Sequence, residues 1–340
     1  IDEAQYIKNH STQNAKSVKA ITADHRFALT GTPIENRLSE LWSIFDFLMP
    51  GYLYGYQKFK KRFEIPAVRN GDENAVEQLR KMVSPFILRR LKSEVLSELP
   101  PKSETVLRVT MEGDQRKLYA ANTALIKKQL ADESESGFEQ RRFHILAMLT
   151  KLRQICCDPS LCYEDYKGPN AKLDICMELL RESTEGGHKV LLFSQFTSML
   201  AMIEEKLAEE GISYFVLKGD TPKEKRAQLV ERFNNDRTQV FLISLKAGGT
   251  GLNLTGADVV IHFDPWWNVA AQNQATDRSH RIGQKNSVQV YKLVMQDSIE
   301  EKILELQESK KELAEAVVSG QEGDGTIFTM TREELLELLS

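Results

Sequence analysis

The chain has 340 residues, a formal net charge of −4, and hydrophobic and charged fractions of 41% and 28% that are typical of a globular protein. No apolar run approaches the roughly 20 residues of a membrane span, so no transmembrane helix is predicted. The mild acidity counts against a nucleic-acid-binding protein unless the basic residues are clustered locally. Three runs are rich in basic residues, at 58–63, 88–92 and 223–226, although a run of charges is more often a solvated face.

The first half of the chain begins with a predicted strand, tight turn and helix in RFALTGTPIENRLSELWSIFDFL (26–48). Thr32 is expected to be the helix N-cap, with Glu35 completing a capping box. Residues 50–170 are predicted to be mostly helical, and the two prolines in ELPPKSE (98–104) indicate a boundary.

The second half alternates apolar strands with helices. Five short apolar runs are predicted to be strands: 189–194, 213–217, 240–244, 258–263 and 288–294. Thr221 and Glu224 are expected to form a capping box before one helix, and Ser298 and Glu301 another before a long helix to about Val318. This alternation predicts an α/β fold, a parallel sheet with helices on both faces.

Open parallel sheets bind ligands at the carboxyl ends of their strands, so the loops there are the candidate sites. After the strand 240–244 comes a loop with Gly248, Gly249 and Gly251, whose backbone amides could face a phosphate. Taken alone, this loop is better explained as a tight connection.

Two adjacent tryptophans, Trp266 and Trp267, follow the strand 258–263. They are either core side chains, which is the commoner role of tryptophan, or one of them stacks on a base or sugar. The sequence leaves both interpretations open, with Trp266 as the candidate for nucleic-acid contact.

The stretch QATDRSHRIGQ (274–284) is predicted to be a helix that ends at Gly283. Residues three apart share a helical face, so Arg278 and Arg281 would point the same way. Arginine forks onto phosphate oxygens, and together with the glycine-rich loop the pair predicts a γ-phosphate clamp. Either arginine alone is explained by a surface network with Asp277.

The chain opens with IDEAQ, a short acidic motif. In a phosphate-transfer site, Asp2 would hold Mg²⁺ through water and Glu3 would polarise the attacking water. Four letters are a weak signal without a wider context.

That context is a resemblance in the first half of the chain to the Swi/Snf family of helicase-related, DNA-translocating ATPases. DEAQ (2–5) is similar to the family's magnesium and water motif, and LTGTPIENRLSELWSIFDFLMPG (29–51) resembles its third motif and first helical protrusion. PFILRRLKSEVLSELPPKSE (85–104) is similar to the segment that crosses between lobes, and LRQICCDPSL (152–161) to the end of the second protrusion.

The resemblance continues through the second half, in the order that the family has. VLLFSQFTSML (190–200), LKGDTPKEKR (217–226), SLKAGGTGLNLTGAD (244–258) and QATDRSHRIGQ (274–284) are similar to the four motifs of its second RecA-like lobe. The last two are highly specific. The segments DPWWN and ICCDP resemble bacterial or archaeal members more than eukaryotic remodellers.

The resemblance implies two RecA-like lobes around ATP and Mg²⁺, walking on double-stranded DNA and displacing bound proteins such as a polymerase or nucleoid proteins. Arg278 and Arg281 would be arginine fingers that reach the nucleotide. Residues near Gln195, Lys218 and Lys246 would hold DNA phosphates, with Trp266 beside them. The glycines, among them Gly249 and Gly251, would couple that grip to ATP. The expected location is the bacterial cytoplasm with its nucleoid, or the nucleus in a eukaryote.

The resemblance also implies a division into four parts. Residues 1–104 are expected to be the back half of a first RecA-like lobe with a helical protrusion, and 105–170 the protrusion of the second lobe. Residues 171–320 would form that second lobe with a brace helix, and 321–340 a tail.

One departure from the family limits the expected activity. The chain contains no Gly-Lys dipeptide, and therefore no GxxxxGK[ST] phosphate loop. In the family this loop precedes the DEAQ-type motif. We therefore expect the chain to begin partway through the first lobe, to bind ATP poorly and to be inactive as a DNA-dependent ATPase when isolated.

Three other functions are compatible with parts of the sequence. A strand-separating helicase for RNA or single-stranded DNA is the nearest, although the helical insertions and HRIGQ argue against it. A non-catalytic DNA- or partner-binding scaffold would explain the missing phosphate loop. Dinucleotide binding is weak, because the glycines of AGGTG lack the GxGxxG spacing and Asp264 is the nearest acid.

Overall fold

The computed structural model describes residues 1–30, 38–69, 71–90, 95–96, 98–131, 135–248, 252–308 and 339. These residues fall into two compact units. The first is built mainly from residues 1–90, and the second mainly from 91–267 and 271–304. No helix in these ranges is long and apolar enough to span a membrane.

The first unit is helical in its described ranges. Its helices are α1 (Gln13–Lys19), α2 (Leu38–Leu48), α3 (Tyr56–Phe59), α4 (Ile65–Arg69) and α5 (Glu73–Val83), with 3₁₀ turns at Ala4–Ile7 and Ser84–Phe86. A π-helical turn, Lys60–Glu64, joins α3 to α4. Its core packs Leu41 and Phe45 of α2 against Phe59, Phe63 and Leu79.

The strand predicted at the start of 26–48 does not form. Residues 26–30 have no regular secondary structure. The N–H of Leu29 donates to the Ile1 carbonyl oxygen and the N–H of Ala4 to the Leu29 carbonyl oxygen, at 2.9 Å each. Only these two short segments pair, which is too little for a stable sheet. The predicted cap residues Thr32 and Glu35 lie outside the described residues.

The second unit contains a six-stranded, all-parallel sheet in the order β1-β6-β5-β2-β4-β3. Its strands are β1 (Lys102–Val109), β2 (Val190–Ser194), β3 (Tyr214–Leu217), β4 (Val240–Ser244), β5 (Val259–His262) and β6 (Val288–Met295). The five predicted strands are confirmed to within a residue or two. β1 was not expected, because it lies at an edge, is largely exposed, and begins with four polar residues.

Helices cover both faces of this sheet, as predicted. The helices of this unit are α6 (Gly113–Ala131), α7 (Glu135–Cys157), α8 (Ala171–Glu185), α9 (Thr197–Glu209), α10 (Lys223–Asn235), α11 (Leu245–Gly248), α12 (Val269–Thr276) and α13 (299–308). Along β2, Val190 and Leu192 belong to one core, with α8 and α9. Leu191 and Phe193 belong to the other, as the alternation of a strand requires.

Two predicted caps differ in detail. α10 begins at Lys223 after Pro222, and the Thr221 hydroxyl instead accepts from the N–H of Lys218 at 3.1 Å. At α13 the Ser298 hydroxyl accepts from the N–H of Glu300 at 3.1 Å. The predicted extension of α13 beyond residue 308 lies outside the described residues.

Candidate nucleotide- and DNA-contacting site

The carboxyl ends of three neighbouring strands lie level with one another. Ser194 at the end of β2 is paired with Ser244 at the end of β4, and Leu217 at the end of β3 is paired with Ile243. Since adjacent strands lie about 4.8 Å apart, the residues that follow the three strands form a row at one edge. We call three of these residues the edge row: Gln195 directly after β2, Lys218 directly after β3, and Lys246, the second residue after β4.

Two of the three edge-row residues have partners within the described residues. The N–H of Gln195 donates to the Asp264 carboxylate at 3.2 Å, while its half-buried side chain makes no hydrogen bond within the described chain. The Nζ of Lys218 lies 3.9 Å from a Glu204 carboxylate oxygen, a weak and half-exposed pair. Lys246 lies in α11, with its side chain outside the described part. The structure therefore brings together the three residues predicted to hold DNA phosphates.

Asp264, just after the carboxyl end of β5, is a buried hydrogen-bond acceptor for residues at this edge. Its fully buried carboxylate accepts from the Ser194 hydroxyl and from the Gln195 N–H. Arg153 of α7 reaches it with Nη2 at 3.4 Å and also donates to the Pro265 carbonyl oxygen at 2.6 Å. Burial raises the pKa of Asp264, and the nearby Arg153 charge and the hydrogen bonds oppose that shift.

The two tryptophans differ in their surroundings. Trp266 packs against one of the sheet's two cores, and its backbone N–H donates to the side-chain oxygen of Gln272 at 3.1 Å. The ring centroid of Trp267 lies 5.8 Å from the Arg153 guanidinium carbon. Trp266 is half-buried, so packing accounts for much of its surface and its contact with nucleic acid stays a prediction.

The structure corrects the prediction that Arg278 and Arg281 share one face of a helix. α12 ends at Thr276, and both arginines lie in the turns that follow. Arg278 is buried, and its Nη1 donates to the Leu252 carbonyl oxygen at 3.5 Å. Arg281 is half-buried and its Nε donates to the Asp277 carbonyl oxygen at 2.9 Å. Its two terminal nitrogens make no hydrogen bond with any described residue.

Side-chain hydrogen bonds explain why the helix stops early. The amide of Gln284 donates to the carbonyl oxygens of Ala257 at 2.7 Å and Ser279 at 3.2 Å. His280 Nε2 donates to the Pro100 carbonyl oxygen at 2.9 Å. These side-chain bonds hold residues 280 and 284 to carbonyl oxygens of other segments and of the turn itself, which stabilises the turns in place of a longer helix. Gly283 does not end the helix, but its φ of +102° lies in a region that favours glycine.

The glycine-rich loop and the arginine turns are directly connected. The N–H of Leu254 donates to the Arg278 carbonyl oxygen at 2.9 Å, in addition to the Arg278 side-chain bond to Leu252. Gly249 and Gly251, the predicted nucleotide contacts of this loop, lie outside the described residues. A change at the loop is therefore mechanically linked to the arginine turns.

In the first unit, the acidic motif lies in an exposed turn. The Glu3 N–H donates to the Asp2 carboxylate at 2.8 Å, and Glu3 has a left-handed φ of 51°. The Gln5 side chain donates to the Glu3 carboxylate and accepts from the Thr30 hydroxyl at 2.9 Å. The structure thus joins the DEAQ motif to the LTGTP motif, which were separate in the sequence.

Comparison with known proteins identifies the fold. Residues 1–161 match the SNF2-related domain, and residues 171–283 match the helicase conserved C-terminal domain. The SWI2/SNF2 ATPase core of Sulfolobus solfataricus, solved in complex with double-stranded DNA, is 37% identical. The match covers 94% of this chain and 68% of that one, with a TM-score of 0.55.

The chain belongs to the SWI2/SNF2 family. Its sheet is accordingly the RecA-like sheet of a helicase-related ATPase. An uncharacterized ATP-dependent helicase of Mycoplasma pneumoniae is 40% identical over 99% of the chain and 32% of that protein. An ISWI chromatin-remodeling complex ATPase of Arabidopsis thaliana is 38% identical over 100% of the chain and 33% of that protein. The chain thus spans about a third of the length of these relatives.

For a SWI2/SNF2 chain, the residues present fit a magnesium ion only in part. Within the described residues, no group of three His, Cys, Asp or Glu side chains could hold a metal ion. Mg²⁺ is commonly bound by one or two carboxylates together with substrate phosphates and water. The exposed Asp2 carboxylate is of that donor type.

The sequence did not indicate a role for Arg153 or Gln284. It indicated Asp264 only as the nearest acidic residue for dinucleotide binding, a function that the glycine spacing disfavours. A polar residue directly after an apolar strand was the available signal for Asp264, since strand ends form the ligand edge. Arg153 lies 111 residues from Asp264, and nothing local indicated their contact.

Proposed function

We propose that this SWI2/SNF2 chain is part of an ATP-dependent motor that moves along double-stranded DNA by gripping phosphates. The single observation that carries the proposal is the edge row, in which the level ends of β2, β4 and β3 align Gln195, Lys246 and Lys218. The relative solved with double-stranded DNA supports it. A grip on phosphates carries no base information, so the motor acts on any sequence and displaces DNA-bound proteins such as a polymerase or nucleoid proteins.

Arg281 is the better candidate for the arginine finger. Its terminal nitrogens are not used by described residues, and a guanidinium fork suits phosphate oxygens. Arg278 would have to exchange its bond to the Leu252 carbonyl oxygen for a phosphate. Its movement would then reposition the loop that contains Gly249 and Gly251, which couples ATP binding to the adjacent edge row.

ATP and Mg²⁺ are the proposed cofactors. Asp2 would hold the ion through water, and Glu3 would polarise the attacking water, oriented by its hydrogen bond from Gln5. Mg²⁺ supplies charge stabilisation for the transferred phosphoryl group. These 340 residues contain no phosphate loop, so hydrolysis belongs to the full-length protein and the isolated chain is expected to be inactive.

The test measures phosphate release by the full-length protein with duplex DNA, single-stranded DNA, RNA or no nucleic acid. The parent is compared with Arg281→Ala and with the control Arg181→Ala, which removes a surface arginine paired with Glu210. We expect duplex DNA to stimulate hydrolysis most strongly. Arg281→Ala should abolish the stimulation, as removal of an arginine finger costs about 10³-fold or more, and the control should behave as the parent.

Other outcomes would replace the proposal. Stimulation by RNA or single strands, without duplex DNA, would assign the protein to the strand-separating helicases. No hydrolysis with any nucleic acid would favour a DNA- or partner-binding scaffold. If Arg281→Ala retains the full stimulation by duplex DNA, the motor proposal stands but Arg281 is not its arginine finger.

A further inference from the structure

Residues 56–64, YQKFKKRFE, carry a concentration of positive charge that the proposed motor does not use. The cations of this segment are all exposed: Lys58, Lys60, Lys61 and Arg62. None of them forms an ion pair with a carboxylate of the described residues. Nearby cations do have partners, since Arg80 and Lys81 bind Glu77 at 2.6 and 3.2 Å.

The only acid of the segment, Glu64, forms no ion pair with these cations. One carboxylate oxygen of Glu64 is buried without a hydrogen-bond partner. Its charge acts on His10, whose pKa it raises against the larger, lowering effect of burial. The four exposed side chains therefore present an uncompensated positive surface.

A tyrosine fixes two of these cations. The Lys58 Nζ lies 4.4 Å from the Tyr54 ring centroid, and the Arg62 guanidinium carbon lies 5.3 Å from it. Arg62 also donates to the Tyr54 hydroxyl at 3.2 Å. The ring stacks on Phe63 at a centroid distance of 6.5 Å and an interplanar angle of 17°. Cation–π contacts of this kind orient flexible side chains.

The backbone at this position is strained, and other contacts hold it there. Tyr54 has a left-handed φ of 63°, which is uncommon and strained for a bulky residue. Its carbonyl oxygen accepts from the Trp42 indole at 3.0 Å. Such outliers are concentrated at functional sites.

The π-helical turn Lys60–Glu64 adds a second local irregularity, of a type also frequent at functional sites. It brings cationic side chains to one shallow cavity of about 420 Å³. The residues that line it are Gln57, Lys58, Lys61 and Arg62. Every lining side chain is a hydrogen-bond donor, and three of the four are positively charged.

We propose that this surface, which we call the Lys58–Arg62 surface, binds the sugar–phosphate backbone of duplex DNA as a second contact in addition to the edge row. The inference rests on the proposed motor function. Duplex DNA carries one negative charge per roughly 1.7 Å of its axis, which complements a cluster of unpaired cations. None of the exposed large apolar side chains of the described chain lies between residues 54 and 64, so the surface lacks what membrane insertion requires.

The test measures duplex DNA affinity of the full-length protein as a function of salt. The variant is the triple substitution Lys58→Gln, Lys61→Gln and Arg62→Gln. The slope of log K against log salt is negative, and each lost phosphate contact lowers its magnitude by about 0.9. The magnitude of the slope should therefore fall by about two to three. The duplex concentration for half-maximal hydrolysis should rise about tenfold, while hydrolysis at saturating DNA stays at the parent rate.

The matched control also removes three exposed cations, each paired with a carboxylate on its own helix: Lys81, Lys117 and Lys206, all changed to Gln. It should keep the parent slope. The triple variant is folded if its thermal midpoint agrees with that of the parent within experimental error. The single exposed substitution Lys61→Glu provides a second test, in which the magnitude of the slope should fall by about one.

An unchanged slope in both variants would overturn the surface as a DNA contact and would assign its charge to another ligand, such as an acidic protein segment. That outcome leaves the motor proposal standing if duplex DNA still stimulates the parent. If duplex DNA does not stimulate the parent, the motor proposal fails, whereas a lowered slope would still support the surface.

Discussion

Lys172 and Glu300 form an ion pair in which neither side chain is exposed, with Nζ 2.6 Å from a carboxylate oxygen. The pair joins α8 to the start of α13. The same carboxylate accepts from the Met295 N–H at 2.8 Å, and the ammonium lies 5.3 Å from the Phe263 ring centroid. Two distant parts of the second unit are thereby fixed to the end of β6.

This pair predicts an asymmetry between single and double substitutions. Glu300→Leu alone leaves a buried ammonium without its partner and should lower the free energy of unfolding by about 3–5 kcal/mol. Lys172→Met together with Glu300→Leu removes both charges and should cost much less. Urea unfolding of the two variants and the parent measures the difference, and a double variant less stable than the single one would contradict the prediction.

The two arginines of the 274–284 stretch should separate into a structural and a chemical role. Arg278→Ala removes a buried side chain bonded to Leu252, so it should lower the thermal midpoint as well as duplex-stimulated hydrolysis. Arg281→Ala should lower hydrolysis only, because its terminal nitrogens are not used by the described chain. Thermal unfolding without nucleotide, beside the hydrolysis assay, distinguishes the two. Equal losses of stability would count against this separation.

The edge row predicts different salt responses at its two ends. Lys218→Ala removes a cation and should reduce the magnitude of the negative slope of log K for duplex DNA against log salt by about 0.9. Gln195→Ala removes a neutral donor and should weaken binding with an unchanged slope. Lys206→Ala, an exposed lysine paired with Glu209 at 2.8 Å, is the control. A changed slope in Gln195→Ala would show that the variant disturbs more than one contact.

His262 predicts a loss of stability in acid. It is buried, its Nε2 lies 2.8 Å from the Thr276 hydroxyl, and its Nδ1 is buried without a described partner. Burial lowers its pKa from 6.5 to about 3. The folded protein thus keeps it neutral where the unfolded chain binds a proton, so its contribution is complete above pH 6.5 and is lost as the pH falls towards 3.

The corresponding experiment compares unfolding free energies of the parent and His262→Phe between pH 7 and 5. Below pH 6.5 the parent should lose about 1.4 kcal/mol per pH unit more than the variant. Phenylalanine can keep the stacking that His262 makes with Phe193, whose ring centroid is 5.5 Å away. Parallel pH profiles for the two proteins would contradict the assignment to His262.

Local sequence was sufficient for the central strands and for the α/β class. β2 and β4 are continuous apolar runs because both faces of a central parallel strand are covered by helices. The same logic could not find β1, which pairs with β6 at the sheet edge and leaves most of its residues accessible. An edge strand does not need the apolar run by which buried strands are recognised.

The sequence by itself determined the order of motifs and the ligand edge of the sheet, and the resemblance to the family added Gln195 and Lys218 to that edge. These depend on residues close in the chain, whose spacing controls where strands end. Only the tertiary structure decided that Arg153 supports Asp264 from 111 residues away, and that α12 stops before Arg278. A spacing of three predicts a shared helical face, but the hydrogen bonds of Gln284 to Ala257 and Ser279 stabilise turns instead, and such long-range partners leave no trace in local spacing.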